Sequence, residues 1–522
     1  MNLAAGSGRD CSCAALIERA RAERWEGMLT LISNGRVRVR WSSENPSDEF
    51  EVHDPATGAV IAVVAGCGPD QLDRAVRAAH AAQPGWRAKT PRERGLLLRQ
   101  VAGLIRANIE ELAALETSDN GKPLLQSRFD IEAAIAIFEL FASLSETMPG
   151  GVRDSGSILD ITTIEPYGVV AAILPFNWPP IIAAGKMAPA LLVGNTVVVK
   201  PPEQAPLSVL RLIELIEEIL PRDVVQVVPG GGALGGQLVG HSLISKVSFT
   251  GAPSTGVKVM QAAAANLTPT LMELGGKNPL IIFEDADIPS AVRWALEGGF
   301  YNQGEACSAA SRVLVHRSVY ADVAERYGAA VKRLRVGVGT DANIDVGPLV
   351  TQAHRQRVLD YIQIGVEEGA TLFAQAPLPN GGDHPGFFVA PTLFTDVKPE
   401  MRISQEEIFG PVVCLIPFDD EQEAIRIANG TEFGLLGAVF TANAQRQVRV
   451  ARAISASVTF INHYSRVGMF GTPFGGTKHS GYGRLHSQQT LGEFGYTKTL
   501  RLPSGAGEIS PLPFAAAAFT DS

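Results

Sequence analysis

Residues 167–200 have the sequence YGVVAAILPFNWPPIIAAGKMAPALLVGNTVVVK, with apolar runs at 169–174 and 196–199 on either side of a helix-length segment. A continuous run of about 20 apolar residues could cross a membrane. Here prolines and polar residues such as Asn177 and Lys186 interrupt it, which favours buried strands joined by a helix. The stretch therefore predicts one strand–helix–strand unit of a parallel sheet, and no membrane partner.

The same alternation continues on the C-terminal side. Strand candidates at 224–228, 246–249 and 270–274 are separated by helix-length segments, as in a doubly wound parallel sheet. Such sheets bind ligands at the carboxyl ends of their strands. The alternation resumes over 279–315 and 412–460, which predicts a second α/β domain.

The N-terminal part of the chain has shorter patterns. Short β-rich runs within 31–64 predict a small peripheral sheet, and two helices follow. The second helix has Thr90 as its N-cap and Glu93 to close a capping box, and it is predicted to end near Gly121. Residues 1–28 form an extension with one predicted amphipathic helix and no assigned function.

Composition excludes several classes of protein. A chain of 522 residues implies two or three domains, and 46% hydrophobic with 19% charged residues fits a compact globular protein. A net charge of −9 argues against a nucleic-acid partner. Five scattered cysteines do not make a disulfide framework or a metal site, and the N-terminus lacks the apolar core of a secretory signal. We therefore expect a cytoplasmic protein without a metal.

One cysteine stands in an unusual setting. Cys307 lies within YNQGEACS at 301–308, and Glu273 begins ELGGK, 34 residues before it. A thiolate forms covalent adducts with carbonyl groups, and a nearby carboxylate can activate water to release them. An arbitrary cysteine is more often a buried apolar side chain. The polar neighbours of this one favour carbonyl chemistry.

Two glycine patterns follow strand candidates. The sequence GGGALG at 230–235 matches the dinucleotide fingerprint G-x-G-x-x-G, but no acidic residue follows at the expected distance. Gly251 and Gly256 follow the run 246–250 and precede a helix-like segment. Backbone N–H groups at a helix start can hold a phosphate. A tight strand-to-helix turn explains both patterns equally well.

Three further stretches each allow two interpretations. Lys200 and Glu203 close a strand and could bind ribose hydroxyls or form a solvated ion pair. Asn177, between prolines and aromatic residues, could stabilise an oxyanion or belong to a turn. Glu407 and Phe409 lie in either a charged turn or a ligand-binding loop.

The order of these motifs is more specific than any one of them. They are PFNWP at 175–179, KPPE at 200–203, FTG at 249–251 with a second glycine five residues later, ELGGK at 273–277, NQGEAC at 302–307, EIFGP at 407–411 and PFGG at 473–476. Together they resemble the NAD(P)-dependent aldehyde dehydrogenase superfamily over about residues 31–501.

The resemblance implies an α/β fold with a Rossmann-type coenzyme domain, an α/β catalytic domain and a small β oligomerisation element. The implied boundaries are 1–28 for the extension, 29–147 and 167–278 for the NAD-binding domain, 279–485 for the catalytic domain, 148–166 and 486–505 for the oligomerisation element, and 506–522 for the tail. A homodimer or homotetramer follows by resemblance.

The resemblance also assigns catalytic roles. Cys307 would attack an aldehyde carbon to give a thiohemiacetal, whose oxyanion would be held by Asn177 and the backbone N–H of Cys307. Hydride transfer to NAD would leave a thioester. Glu273 would activate the water that hydrolyses this thioester to a carboxylic acid.

Cofactor and substrate positions are carried over in the same way. The implied cofactor residues are Lys200 and Glu203 at the adenosine ribose, Phe249, Gly251 and Gly256 at the pyrophosphate, and Glu407 with Phe409 at the nicotinamide ribose. The implied pocket residues are Trp178, Ile182, Tyr301 and Phe474. A carboxylate at Glu203 would repel the 2′-phosphate of NADP, which predicts NAD. The aromatic and apolar pocket favours an aliphatic or aromatic aldehyde.

The chain departs from the family pattern at three places. Ala252 and Pro253 follow FTG where a serine is frequent, and Leu485 replaces a glutamate proposed to assist a proton relay. Glu273 is therefore left as the principal base. Residues 462–472 form a variable loop in which Arg466 or His463 could recognise a carboxylate.

Two alternative functions stay open at this point. One is a semialdehyde dehydrogenase, including a CoA-acylating enzyme in which CoA resolves the thioester; the presence of Glu273 favours hydrolysis. The other is a non-catalytic NAD-binding or structural protein, as in the lens crystallins of this superfamily. The presence of Cys307, Glu273 and Asn177 argues against that second alternative.

Overall fold

The computed structural model describes residues 49–466 and 469–507, residues 509 and 512, and the backbone of 29–33 and 36–39. The N-terminal extension with its predicted helix lies outside the described residues, as does most of the C-terminal tail.

The chain begins with the predicted peripheral sheet and a helical layer. The strands are β1 (Leu29–Ser33), β2 (Arg36–Val39), β3 (Glu49–His53) and β4 (Val60–Ala65), in the order β1-β2-β4-β3. The helices are α1 (Pro69–Arg87), α2 (Pro91–Ala107), α3 (Ile109–Asn120) and α4 (Leu124–Leu144). A hairpin of β5 (Gly150–Asp154) and β6 (Ile158–Pro166) follows.

The capping box that opens α2 is present. Thr90 accepts a hydrogen bond from the Glu93 N–H, and Glu93 accepts one from the Thr90 N–H at 2.7 Å. The single helix predicted to end near Gly121 is instead two helices. Asn108 leaves the helical conformation (φ −116°, ψ 21°), and α3 then ends at Gly121 in the left-handed conformation.

The stretch 167–200 forms the predicted centre of a parallel sheet. Its elements and those that follow are β7 (Val169–Ile173), α5 (Pro179–Val193), β8 (Thr196–Lys200), α6 (Leu207–Glu217), β9 (Val225–Val227), α7 (Gly232–Gly240), β10 (Ile244–Thr250), α8 (Pro253–Ala264) and β11 (Thr270–Glu273). The parallel order is β11-β10-β7-β8-β9. All five strands predicted for this sheet are therefore present.

A second, larger sheet follows in the chain. Its elements are β12 (Pro279–Ile282), α9 (Ile288–Phe300), β13 (Arg312–His316), α10 (Tyr320–Val331), α11 (Gln352–Glu367), β14 (Thr371–Gln375), β15 (Thr392–Thr395), α12 (Arg402–Gln405), β16 (Val412–Phe418), α13 (Glu421–Asn429), β17 (Phe433–Gly434), β18 (Leu436–Phe440), α14 (Ala444–Ala453) and β19 (Val458–Ile461). The order is β14-β15-β16-β13-β12-β18-β19, and β14 is the antiparallel edge.

The last strands connect these units. They are β20 (Thr477–Lys478), β21 (Gly481–Tyr482) and, after the short helix α15 (Thr490–Glu493), β22 (Gly495–Pro503). The strand β21 pairs antiparallel with β11, and β22 joins β6 and β5 in a three-stranded sheet. A hairpin and a strand thus lie where the oligomerisation element was predicted, although its role in assembly stays a prediction.

The apolar run at 167–199 is buried inside the protein. The strands β7 and β8 are fully buried, and α5 is buried along most of its length. Within the described part of the chain, no helix is long and apolar enough to cross a membrane.

Candidate active site

The loop that carries Cys307 is fixed by its backbone. A single 3-10 turn, Tyr301–Gly304, follows α9 and includes left-handed φ angles at Asn302 and Gln303. The Asn278 side-chain amide donates to the carbonyl oxygens of Cys307 and Ala309, at 2.8 Å each. Asn278 directly precedes β12 and the loop follows α9, so both come from the second sheet and its helices.

The Cys307 thiol is only partly accessible and lies near two carboxyl groups. Burial raises its pKa to about 12, and Glu407 and Glu273 add to the increase. Arg466 and the Ser308 N–H act in the opposite direction. The thiol is therefore protonated at neutral pH in this state, and attack on a carbonyl requires removal of its proton.

Glu273 lies at the end of β11 with an unusual lack of partners. Its side chain is buried, and neither carboxylate oxygen has a hydrogen-bond partner among the described residues. Burial holds its pKa well above the usual range, against the opposing charges of Lys186 and Arg484. A Cβ atom on Gly475 would lie 2.7 Å from one of its oxygens, so the PFGG motif lies directly against this carboxyl group.

Glu407 contacts the turn that follows Glu273. Its Oε1 accepts a hydrogen bond from the Gly276 N–H at 2.8 Å, and its other oxygen lies over Gly275, where a Cβ atom would clash. Burial raises the pKa of Glu407 to about 7. The glycines of ELGGK thus allow a second carboxyl group to approach the thiol. Phe409, two residues on, has a left-handed backbone and contacts Phe176 edge to face.

Asn177 is held in place from several directions. Its side-chain amide donates to the Glu305 carbonyl at 3.0 Å, which leaves the second amide hydrogen available. Its own carbonyl accepts hydrogen bonds from Lys122 Nζ at 2.7 Å and from Asn302 at 3.1 Å. Because Glu305 is two residues from Cys307, the amide is tied to the nucleophile loop.

Lys122 was not predicted from sequence as part of the site. It is fully buried and pairs with Asp130 at 2.6 Å and Glu116 at 3.0 Å. Burial opposes its charge, but these two carboxylates outweigh that effect and hold its pKa above the ordinary value. A buried ion pair thus lies behind Asn177. In sequence, the only signal is a lysine in the turn after Gly121.

The predicted adenosine-ribose residues lie together at the end of β8. Lys200 Nζ is 3.7 Å from Glu203, and burial lowers the lysine pKa. The glycines after β9 surround this pair, since a Cβ atom on Gly231 would lie 2.9 Å from Glu203 Oε1 and one on Gly235 would touch the Lys200 stem. Gly231 and Gly235 therefore make room for a carboxylate and a lysine, and only Gly235 is a glycine of the G-x-G-x-x-G pattern.

The predicted pyrophosphate residues lie at the turn from β10 to α8. Phe249 is buried and its ring lies against Gly251. Gly256, one turn into α8, packs on Leu274. The start of α8 is adjacent, with Ala252 as its N-cap. Their part in phosphate binding stays a prediction.

The predicted pocket residues are all partly buried. Trp178 caps the start of α5, Ile182 is one turn further on, and Phe474 lies 5.7 Å from the His486 ring. Of the two candidates in the variable loop, Arg466 lies beside Tyr301, with 5.2 Å between guanidinium carbon and ring centre. His463 instead contacts Trp294 and Phe460. Val467 and Gly468, also in this loop, lie outside the described residues.

Of the other cysteines, the two that the structure describes lie outside this arrangement. Cys67 and Cys414 are free thiols whose pKa values are raised by burial to about 11. Cys11 and Cys13 lie outside the described residues. No group of three or more His, Cys, Asp or Glu side chains in the described ranges could hold a metal ion.

Two α/β sheets that bring one thiol, two carboxyl groups and a fixed amide together are typical of an α/β enzyme with a thiol at its candidate active site. The model of the aldehyde dehydrogenase family matches residues 41–500. The chain belongs to this family and is an aldehyde dehydrogenase.

Known relatives match almost the whole chain. An aldehyde dehydrogenase of Didymella fabae is 48% identical over 91% of this chain and 96% of its own length. A betaine aldehyde dehydrogenase of Rhizobium etli is 41% identical over 86% of this chain and 93% of its own. The crystal structure of a betaine aldehyde dehydrogenase from Staphylococcus aureus in complex with NAD+ has a TM-score of 0.86 at 36% identity, covering 90% of this chain and 94% of that one.

Proposed function

We propose that this enzyme oxidises an aliphatic or aromatic aldehyde to the carboxylic acid with NAD, through a thioester on Cys307. The observation that carries this proposal is the unpartnered carboxyl group of Glu273, which couples electrostatically to the Cys307 thiol. Burial raises the pKa of this carboxyl group, which makes its carboxylate a stronger base than an exposed one.

The first step uses the thiol and the amide. The Cys307 thiol gives its proton to the Glu273 carboxylate, which acts on it electrostatically and later passes the proton to solvent. The thiolate then attacks the aldehyde carbon, and the carbonyl oxygen becomes the oxyanion of a thiohemiacetal. The second amide hydrogen of Asn177 and the backbone N–H of Cys307 would donate to this oxygen. Each such donor contributes about 3 kcal/mol to the transition state in acyl transfer. The bond from Asn177 to the Glu305 carbonyl holds the amide for this purpose.

The second step releases the product. When bound, NAD supplies the hydride acceptor that makes the collapse of the thiohemiacetal an oxidation. The acyl group then remains on Cys307 as a thioester. Glu273 takes a proton from a water molecule, the hydroxide adds to the thioester carbon, and the carbon–sulfur bond breaks. The carboxylic acid leaves and the Cys307 sulfur is restored.

The residues at the end of β8 fit a nucleotide with a free 2′-hydroxyl. Glu203 is exposed on one side, and a carboxylate there can accept a hydrogen bond from a ribose hydroxyl but repels a phosphate. The complex of the S. aureus relative with NAD+ supports the same choice. Glu407 and Phe409 would hold the nicotinamide ribose. Steady-state kinetics with each cofactor test this, and a clear preference for NADP would contradict it.

The similarity to betaine aldehyde dehydrogenases does not carry their substrate to this chain. Betaine aldehyde is a cation, and the cationic side chain that acts on the Cys307 thiol is Arg466, next to the carboxyl groups of Glu407 and Glu273 whose pKa values are raised. Like charges at close range destabilise a complex. We therefore propose neutral or anionic aldehydes as substrates.

Product analysis tests the reaction itself. We expect the carboxylic acid to form from aldehyde and NAD without CoA; CoA-dependent turnover would instead support the CoA-acylating alternative. The variant Glu273→Gln should form NADH in one burst and then stop, because the thioester accumulates. Unchanged NADH formation in Cys307→Ala would contradict the catalytic assignment and favour a non-catalytic role.

We also propose that the enzyme is a cytoplasmic homodimer or homotetramer. The scattered cysteines support a reducing compartment. The three-stranded sheet of β5, β6 and β22, whose outer strands are exposed, supports self-association.

A further inference from the structure

Arg466 is partly buried, and its guanidinium nitrogens are used differently from those of the buried Arg312. Arg312, for comparison, is fully buried, and each of its three guanidinium nitrogens donates to a backbone carbonyl at 2.8–2.9 Å. Arg466 donates through Nε to Ser308 Oγ at 3.3 Å, and through Nη2 to the carbonyl oxygens of Gly298 and Ser308. Its Nη1 is buried and has no hydrogen-bond partner among the described residues.

An unfilled donor on a charged group is costly. A buried hydrogen-bond donor without a partner lowers the stability of the folded protein by about 1–3 kcal/mol, and a charged donor lowers it by more. No carboxylate of the described residues forms a salt bridge with Arg466 within 4.0 Å, although Glu297 lies near enough to interact with its charge. The Nη1 donor is therefore available for a hydrogen bond to a group that is not part of the protein.

The position of this guanidinium connects it with the reacting centre. Ser308, which accepts two of its bonds, directly follows Cys307. The guanidinium also lies over the rings of Tyr301 and Tyr464, at 5.2 and 5.7 Å. The first of these is a predicted pocket residue, and its hydroxyl is also buried without a partner. Two polar groups without partners thus flank the substrate pocket.

We propose that Arg466 is a specificity-determining residue that selects aldehydes carrying an anionic oxygen, with a carboxylate as the simplest case. This rests on the proposed function and names its substrate class. One oxygen of the substrate would accept a charge-assisted hydrogen bond from Nη1, while the other three bonds of Arg466 keep the guanidinium in place. The ring of Tyr301, 5.2 Å from the guanidinium carbon, would contact the rest of the substrate.

A matched pair of aldehydes tests the proposal. The compound 3-carboxybenzaldehyde carries the anion, and methyl 3-formylbenzoate is its neutral ester of similar size. We expect the full-length enzyme to have a higher kcat/KM for the acid. In Arg466→Gln the ratio of the two kcat/KM values should fall by about 10- to 100-fold. A trimethylammonium-substituted benzaldehyde should be the poorest substrate of the three in wild type.

A control variant shows whether the effect requires the positive charge at Arg466 or follows from the loss of any positive charge from the protein. Arg293→Gln removes an exposed charge from α9, the helix that also contains Gly298. The acid-to-ester ratio should not change in this variant. If Arg466 serves only to hold Ser308 or to activate the thiol, Arg466→Gln should lower kcat/KM for the acid and for the ester by the same factor. An unchanged ratio would overturn the proposal.

Binding to an inert enzyme keeps the proposal separate from the reaction. The variant Cys307→Ala cannot form the thiohemiacetal, so titration calorimetry measures affinity alone. Adding Arg466→Gln to this variant should weaken binding of 3-carboxybenzaldehyde about tenfold or more relative to the ester. If wild type forms no NADH with any aldehyde, the proposed function is wrong, and the calorimetric ratio still decides whether Arg466 binds the anion.

Discussion

Gly276 is where the backbone comes closest to the nucleophile. Any Cβ atom at this position would overlap the Cys307 carbonyl oxygen, and that oxygen is also held by Asn278. Methyl groups cannot be accommodated there unless the nucleophile loop moves. Because displacement of a reacting group by about 1 Å can cost about 100-fold in rate, this contact matters for catalysis.

We predict that Gly276→Ala lowers kcat by about 100-fold or more while the protein still folds. Gly236→Ala is the matched control, since no atom lies within 4 Å of a Cβ placed on this glycine in α7. That variant should keep full activity, and its melting temperature should be equal or higher, because alanine favours a helix. Wild-type kcat in Gly276→Ala would show that the backbone contact is unimportant.

Lys122 links a buried ion pair to the amide of the oxyanion site. We predict that Lys122→Met lowers both the melting temperature and kcat, because Asp130 and Glu116 would be left buried without their cation. Losing the partner of a buried charge commonly costs about 3–5 kcal/mol. The effect on kcat should be much smaller in an enzyme that already carries Asn177→Ala. Equal effects in both backgrounds would mean that Lys122 does not act through Asn177.

At the scale of secondary-structure elements, the turns between strands and helices position the residues predicted to bind the cofactor. The turn from β9 to α7 contains Gly231, which lies against the Glu203 carboxylate, and Gly232, which has no atom within 4 Å of an added Cβ. A methyl group added at Gly231 would therefore contact Glu203, whereas one added at Gly232 would contact no described residue.

We predict that Gly231→Ala raises the KM for NAD about tenfold with a smaller change in kcat, because the added methyl group displaces Glu203. Gly232→Ala should leave the KM for NAD within about twofold of wild type. Initial-rate kinetics at saturating aldehyde provide the measurement. Equal KM values in the two variants would argue against a role for Glu203 in cofactor binding.

Sequence patterns predicted the helices and strands more completely than the contacts of the candidate active site. The five strands of the first sheet were found because buried parallel strands are continuous apolar runs between turn residues. The break at Asn108 was missed, because both halves of the segment continue an apolar pattern and only the local backbone ends α2. Motif order identified Cys307 and Glu273 as candidates. Lys122 and Glu305 could not be identified, since their roles depend on contacts across more than 50 residues.

Stability of the whole molecule should depend on pH through the buried carboxyl groups. Burial raises the pKa of Glu305 to about 8 from an ordinary value near 4.5, with Oε1 bonded to the Val350 N–H. The folded state therefore keeps a proton that the unfolded state releases, so the stabilising effect is full below about pH 4.5 and is lost as pH rises to about 8.

We predict that the melting temperature of wild type falls relative to that of Glu305→Gln as the pH rises from about 5 to 8. Lys186, Lys246 and Lys277, whose pKa values burial lowers to about 7, 8 and 8, act in the opposite direction above these values in both proteins. Each such group contributes about 1.4 kcal/mol per pH unit within its window. Thermal unfolding followed by fluorescence at several pH values measures the difference. Asp130 and Glu407 have pKa values of about 7, so part of the pH dependence of the melting temperature should remain in Glu305→Gln. Parallel curves for wild type and variant would contradict the prediction.

Assembly is the remaining question at the scale of the whole molecule. The sheet of β5, β6 and β22 leaves large apolar side chains exposed, with Val152 70% and Leu500 47% accessible. Such positions are common in interfaces between subunits. We predict that Val152→Glu with Leu500→Glu lowers the mass measured by light scattering from that of a dimer or tetramer, because the charges would be desolvated in the interface. Leu267→Glu, on a residue outside this sheet that is 90% accessible, should leave the mass unchanged. If both variants keep the wild-type mass, this sheet does not mediate assembly.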